Sequence, residues 1–328
     1  MNRRIFLKTS ALGIALASTG TRTAFAQAAA YPTKPVSIVV PYAPGGQGDV
    51  FARLLSEPLS QVLGQSVVVE NKPGASGMLG TRNIIREAAD GYHLLMGQTG
   101  EIAIVPNVNQ QAGYNTLEDL APVVLVGDSP LVFIAPKNAS YNTIEEFIAL
   151  AKKDKGSMAY ASSGTATPGH LAAAALALGT GTEMTHVPYK GAGQAMTDVI
   201  GGQVNGFFSS AAAALTHIKA GTVKALAVSS LKRASSLPDV PTINETVLPG
   251  FNYSLWGGIF APKQTPQEIV ALLNQRINDL LGASPLRERF DADGTAVDRN
   301  TPEQFTEFVK SQVTKYQEVI KATGITVS

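Results

Sequence analysis

The stretch VSIVVPYAPGGQGDVFARLLSEPLSQVLG, residues 36–64, decides the fold. Its first part, Val36–Val40, is a β-branched run typical of a buried strand. Apolar residues then recur at helical spacing from Phe51 to Leu63, and Gly64 ends the pattern as a helix C-cap does. A strand that passes through a short loop into a helix is the repeating unit of α/β proteins.

The same alternation continues along the chain and predicts an α/β fold with parallel sheets. Capping boxes mark three later helix starts, at Thr143, Thr265 and Thr301, and the last two have proline at the first helical position. Further strands are predicted at Ser66–Glu70, Tyr92–Met96, Leu131–Ala135, Met158–Ala161, Met184–Val187, Val204–Phe208 and Lys224–Ser229.

The loop PYAPGGQGD, residues 41–49, is the first candidate site because it joins a strand to a helix. Glycines let the backbone turn tightly and point its N–H groups, with the helix dipole, at an anion. Asp49 stands at the helix start, where a carboxylate accepts free N–H groups. The loop lacks the Gly-Lys-Ser/Thr ending of a Walker A motif and the G-x-G-x-x-G pattern. It is therefore either an anion-receiving loop at the carboxyl end of a strand or a simple tight turn.

A second candidate loop, SSGTATPGHL at residues 162–171, also lies between a strand and a helical run. Four hydroxyls and two glycines offer neutral donors that suit a carboxylate, and the alternative is a Ser/Thr-rich cap. The segments 187–191 and 208–211 also follow strands. Tyr189 and Lys190 there are either ligand contacts or, respectively, a packed ring and a surface lysine.

Composition excludes several classes of function. The 328-residue chain has a formal net charge of +1, and without residues 1–26 the balance is about −3, so nothing favours nucleic acid. It has no cysteine, and its four histidines show no metal or triad spacing, so no metal and no cofactor is expected. The histidines are interpreted as structural, with His170 as a possible ligand contact.

Residues 1–26 are predicted to be a cleaved signal peptide. A basic start leads into a short apolar run and then to Ala24-Phe25-Ala26, whose small residues suit signal peptidase. The stretch RRIFLK, residues 3–8, resembles a twin-arginine export signal, and the alternative is an ordinary Sec signal. The mature protein is expected in the periplasm.

The mature chain resembles the Bug family, the periplasmic receptors of tripartite tricarboxylate transporters. The resemblance rests on six ordered motifs: PYAPGG…D at 41–49, VENKPGASG at 69–77, DGY at 90–92, HVPYKG at 186–191, D…GGQV at 198–204 and ALAV at 225–228. It implies two α/β lobes joined by crossing strands, a cleft that closes over one ligand, and delivery to the membrane components of a transporter. We expect lobe 1 to comprise residues 27–127 and 231–328, and lobe 2 residues 128–230, with a monomeric protein.

In the family the two loops pinch a ligand carboxylate, which here implies contacts from 42–48 and 162–167. The expected ligand-binding residues are Tyr42, Ala43, Gly45, Gly46, Gln47, Ser76, Gln98, Thr99, Ser163, Gly164, Thr165, Thr167, Tyr189, Ser209 and Ser210. Asn205 and Ser209-Ser210 depart from the family pattern by removing negative charge that we expect near the cleft.

The predicted function is capture of a small carboxylate, either a di- or tricarboxylate or an aromatic acid flanked by Tyr42 and Tyr189. Two other classes stay open at this point. The protein could report its ligand to a membrane sensor, or it could be a periplasmic enzyme, although the sequence holds no nucleophile or metal pattern for one.

Overall fold

The computed structural model describes residues 31–109 and 111–327. The predicted signal peptide lies outside the described residues. Within them, no helix has both the length and the apolar character needed to cross a bilayer.

Strands and helices alternate from Val36 to Val228 as the sequence predicts, but the strand at Ser254–Pro262 was not predicted and follows the previous strand with no helix between them. The strands are β1 Val36–Val40, β2 Val67–Asn71, β3 His93–Gln98, β4 Leu120–Pro136, β5 Ala159–Ser162, β6 Thr185–Pro188, β7 Gly206–Ser210, β8 Val223–Val228 and β9 Ser254–Pro262. The helices are α1 Gln47–Leu63, α2 Met78–Arg86, α3 Val105–Val108, α4 Thr116–Asp119, α5 Ile144–Lys153, α6 Pro168–Thr180, α7 Ala192–Ile200, α8 Ala211–Lys219, α9 Gln267–Leu281, α10 Ser284–Ala292 and α11 Pro302–Thr323. A short turn at Ala75–Gly77 precedes α2, and a π-turn at Gly100–Ile104 precedes α3.

The strands follow the order β2-β1-β3-β9-β4-β7-β5-β6, with β8 paired to β4. The outer pairs are parallel, namely β1 with β2 and β3, and β5 with β6 and β7. The central strands β4 and β9 run antiparallel to their neighbours. The expectation of parallel sheets is therefore right for the outer strands and wrong for the centre, where the 17-residue β4 runs against both halves.

The long strand β4 connects the two halves of the sheet. Its residues Leu120–Pro130 pair with β9, and from Leu131 onward it pairs with β7 and β8. The chain returns after β8, where the Tyr253 N–H donates to the Ser229 carbonyl just before β9 begins. The lobe boundaries at 127/128 and 230/231 stay a prediction.

The structure confirms several of the helix ends that the sequence predicts. Thr301 forms the full capping box with Gln304, and Gly64 adopts the left-handed conformation (φ 67°) that ends α1. Thr143 caps α5, but the Glu146 carboxylate accepts from Asn142 instead of from Thr143.

The box predicted at Thr265 is wrong. Pro266 is the N-cap, with an extended ψ of 138°, so α9 begins at Gln267 and the Thr265 hydroxyl is buried without a partner among the described residues.

Candidate functional site

A cavity of about 370 Å³ lies where the two predicted anion loops meet. This volume is at the small end of the range for ligand sites, roughly 300–1,000 Å³. The structure brings nine of the fifteen predicted residues to its lining: Tyr42, Gly46, Gln47, Ser76, Gln98, Thr99, Ser163, Thr165 and Thr167.

The first loop presents the start of α1 to this cavity. Gly46 is the N-cap and has no side chain to cap the helix, so among the first N–H groups of α1 only that of Gly48 is taken up by a described side chain. The Gly48 N–H donates to Gln98 Oε1 at 3.1 Å, and a Cβ at Gly48 would lie 2.6 Å from the Gln98 amide. A side chain at position 48 would therefore displace the Gln98 amide from its place in the cavity lining. The other end of the Gln98 amide, Nε2, is buried without a partner in the described chain, so it can donate to a ligand.

A buried carboxylate fixes the shape of this loop. Asp49 accepts from the Gly45 N–H at 3.0 Å, from Asn71 Nδ2 at 3.0 Å and from Arg53 Nε at 3.0 Å. Burial alone would raise the pKa of Asp49, but these hydrogen bonds outweigh it and lower the pKa below its ordinary value. The negative charge is thus neutralised locally by Arg53, and the loop is held in one conformation.

The second loop presents the start of α6 to the same cavity. Thr167 is the N-cap, but its hydroxyl donates to the Gly164 carbonyl at 2.8 Å and does not cap the helix. Pro168 occupies the first helical position and also lines the cavity. The hydroxyls of Ser163 and Thr165 make no hydrogen bond to any described residue, so both are available to a ligand.

Backbone strain concentrates at this site. Three described non-glycine residues have positive φ, namely Ala75, Ser76 and Ala166, and the last two line the cavity. Such conformations cost of order 1–3 kcal/mol each and persist where the surroundings enforce them. At Ala166 the enforcing contact is the N–H bond to His170 Nδ1 at 3.0 Å.

The histidine that holds Ala166 is part of a stacked pair. His170 and His186 lie 3.7 Å apart with their planes at 8°, and Ser162 Oγ lies 2.6 Å from His186 Nε2. Burial and the neighbouring His186 lower the pKa of His170 to about 4, so Nδ1 is an acceptor at neutral pH. His170 thus supports the second loop without lining the cavity. Spacing in the sequence does not predict this pair, because the two histidines are 16 residues apart, one in α6 and the other in β6.

A fully buried carboxyl group stands behind the cavity residue Tyr42. Tyr42 Oη lies 2.8 Å from Glu101 Oε2, and the Gln98 N–H donates to Glu101 Oε1 at 2.5 Å. Burial raises the pKa of Glu101 to about 8, so this carboxyl is mainly protonated and neutral at pH 7. Neither of the two acids in contact with the loops therefore opposes an incoming anion.

The chain is similar to proteins of a known family. Residues 51–325 match the family model described as the tripartite tricarboxylate transporter family receptor. The chain is 37% identical over 314 residues to protein BugT of Bordetella pertussis, covering 95% of this chain and 96% of that one. The chain belongs to the tripartite tricarboxylate transporter receptor family.

Solved structures of similar proteins agree with the fold that the sequence implied. The periplasmic binding protein BugD is 36% identical, with a TM-score of 0.76 over 90% of this chain and 99% of that one. R. palustris Rpa4515 with adipate is 30% identical, with a TM-score of 0.80 over 90% and 99%. The fold of this receptor-family chain is that of a two-lobe periplasmic binding protein, as expected.

Six predicted site residues of this family member do not line the cavity: Ala43, Gly45, Gly164, Tyr189, Ser209 and Ser210. The Tyr189 hydroxyl donates to Asp198 at 2.6 Å, and Tyr189 lies outside the lining that contains Tyr42. Ser210 caps α8 by accepting from Ala213, and Ser209 is buried in β7.

The remaining three residues outside the lining belong to the two loops. Ala43 is exposed, the Gly45 N–H is used by Asp49, and Gly164 makes its turn at a φ of 145°.

Lys190 is exposed and does not line the cavity, which matches the alternative of a surface lysine. Asn205 lies beside Tyr141, whose hydroxyl donates to the Asn205 carbonyl at 2.5 Å, and Asn205 Oδ1 accepts from the Ala159 N–H. Asn205 therefore lies outside the lining of this cavity.

The sequence did not single out seven lining residues of the receptor: Gly100, Val105, Val108, Ala166, Pro168, Leu255 and Val327. Ala166 and Pro168 sit inside the second loop motif and could have been included on that ground. Leu255 lies next to the predicted site residue Gln47, whose Nε2 donates to the Leu255 carbonyl at 2.8 Å. No local signal marks Val327, which comes after the last helix.

Proposed function

We propose that the protein is an exported receptor that binds a small carboxylate in this cavity and delivers it to the membrane components of a tripartite transporter. One observation carries the proposal: the starts of α1 and α6, neither capped by the side chain of its own N-cap residue, face the same cavity. Free N–H groups and the positive end of each helix dipole favour an anion there.

The available donors suffice for useful affinity without a buried cation. A hydrogen bond to a charged group contributes roughly 1.5–3 kcal/mol. Micromolar binding requires about 8.2 kcal/mol. The Gln98 amide, the Ser163 and Thr165 hydroxyls and the N–H groups of α1 can together supply about that much. Among the described residues that line the cavity, none is Lys, Arg or His.

The comparisons support the ligand class and the partner. A family member of 30% identity was solved with adipate, a carboxylate, and the matching family is described as a transporter receptor. Export through the signal at residues 1–26, a monomeric state and the absence of enzymatic turnover belong to the same proposal. No cluster of metal ligands occurs in the described part of the chain.

Calorimetry with a panel of carboxylates tests the ligand class. For the best ligand, Ser163→Ala and Thr165→Ala are each expected to weaken binding by roughly 1–2 kcal/mol, because each removes a donor to the carboxylate. The matched control is Lys190→Met, which is expected to cost less than either. The site is wrongly assigned if Lys190→Met abolishes binding while both hydroxyl variants bind normally.

Two further measurements separate the alternatives. The ligand should be recovered unchanged by NMR after prolonged incubation with pure protein, whereas a new product would identify an enzyme. Deletion of the transporter's membrane components should abolish uptake of the ligand. Normal uptake without them would indicate a sensory receptor instead.

A further inference from the structure

The cavity has an apolar wall that the sequence did not predict, formed by Val105, Val108 and Val327. Val105 and Val108 lie three residues apart in α3 and therefore on one side of the helix. The Val327 N–H donates to the Val108 carbonyl at 3.5 Å, so the third valine lies beside the second. We refer to these three residues as the valine wall.

A turn after the last helix brings Val327 to this position. The helix α11 ends at Gly324, whose left-handed conformation (φ 67°) reverses the chain. Ile325 and Val327 then pack against the hydrophobic core. Val327 is thus held in the cavity lining by the packing of this segment.

The valine wall offers nothing to a second charged group. Its side chains carry no donor, and the lining residues of the described cavity include no cation. A carboxylate placed against valine would lose its hydration without a partner, which is strongly unfavourable. An alkyl or aryl group placed there would gain from leaving water.

Building on the proposed function, we infer that the ligand is a monocarboxylate with an apolar body. Its carboxylate lies at the helix starts and its alkyl or aryl part lies against the valine wall. Val327 is then a specificity-determining residue that disfavours dicarboxylates.

Hexanoate and adipate form a matched pair for calorimetry on the purified protein, because they have the same carbon count and differ in the second carboxylate. Hexanoate should bind at least tenfold more tightly than adipate. From butanoate to hexanoate, affinity should rise about fourfold per methylene. Val327→Thr, which keeps the side-chain shape, should weaken hexanoate several-fold, and Val105→Thr should do the same.

The control for these variants is Val68→Thr, an exposed strand position, which should leave hexanoate binding unchanged. Val327→Lys should shift the preference toward adipate, because it adds a cation to the wall. Tighter binding of adipate than hexanoate to the unmodified protein overturns the inference and leaves the proposed function standing. If no carboxylate binds at all, the proposed function itself fails, and the inference fails with it.

Discussion

The substitution Glu101→Gln tests whether the buried carboxyl behind Tyr42 is neutral in the folded protein. Glu101 is fully buried, and its carboxyl group contacts the Tyr42 hydroxyl and the backbone N–H of Gln98. A glutamine can keep both contacts, since its oxygen accepts from Gln98 and its NH₂ donates to the Tyr42 oxygen. The variant therefore mimics the protonated acid and cannot ionise.

The magnitude follows from the pKa of Glu101, which burial raises from an ordinary 4.5 to about 8. Because the folded-state pKa lies above the unfolded one, the stability that this group contributes is fully present below about pH 4.5. It is lost as the pH rises toward about 8. Between pH 5 and pH 8 the loss amounts to roughly 3–4 kcal/mol, since one pKa unit corresponds to about 1.4 kcal/mol.

Urea unfolding at a series of pH values measures this loss. The free energy of unfolding of the unmodified protein should fall relative to that of Glu101→Gln as the pH increases from 5 to 8. The surface variant Glu57→Gln should run parallel to the unmodified protein. Parallel pH profiles for Glu101→Gln and the unmodified protein would refute the reasoning, because they would mean that Glu101 has the same proton affinity in both states.

Three other predictions concern single residues. In urea unfolding, Gly64→Ala should destabilise the protein by roughly 1 kcal/mol, because φ at Gly64 is positive. Gly193→Ala should instead stabilise the protein by roughly 0.5–1 kcal/mol, because Gly193 lies in a helix with open space around it. Equal effects would contradict the backbone argument. Thr301→Ala should cost about 1 kcal/mol by removing the cap of α11, and Thr301→Ser should cost much less. Asp49→Ala should lower ligand affinity about tenfold in calorimetry by releasing the first loop, and unchanged affinity would show that the loop needs no such support.

Local signals in the sequence predicted the elements around β1 and α1, because strand periodicity, helical spacing and Gly64 act over a few residues. The central strand β4 was predicted only in part. Only 131–135 was predicted as strand, whereas β4 begins at Leu120, since Pro122, Gly127 and Pro130 interrupt the strand pattern. The predicted start of α9 is wrong because the backbone of Pro266 is extended in the fold and Pro266 is the N-cap.

The two anion loops could be predicted as parts of the site, because each lies between a strand and a helix and carries its own donors. The contacts that complete the cavity join residues far apart in the chain. Val327 meets Val108 across more than 200 residues, and Glu101 meets Tyr42 across 59. No local pattern encodes such meetings, and the same holds for the stacking of His170 on His186.

A crystal structure of the protein with its tightest carboxylate ligand tests the central claim most directly. We expect the carboxylate oxygens within about 3 Å of N–H groups at the start of α1 and of the Ser163 or Thr165 hydroxyls. A carboxylate held instead by Lys190, or by any site outside this cavity, would contradict the account.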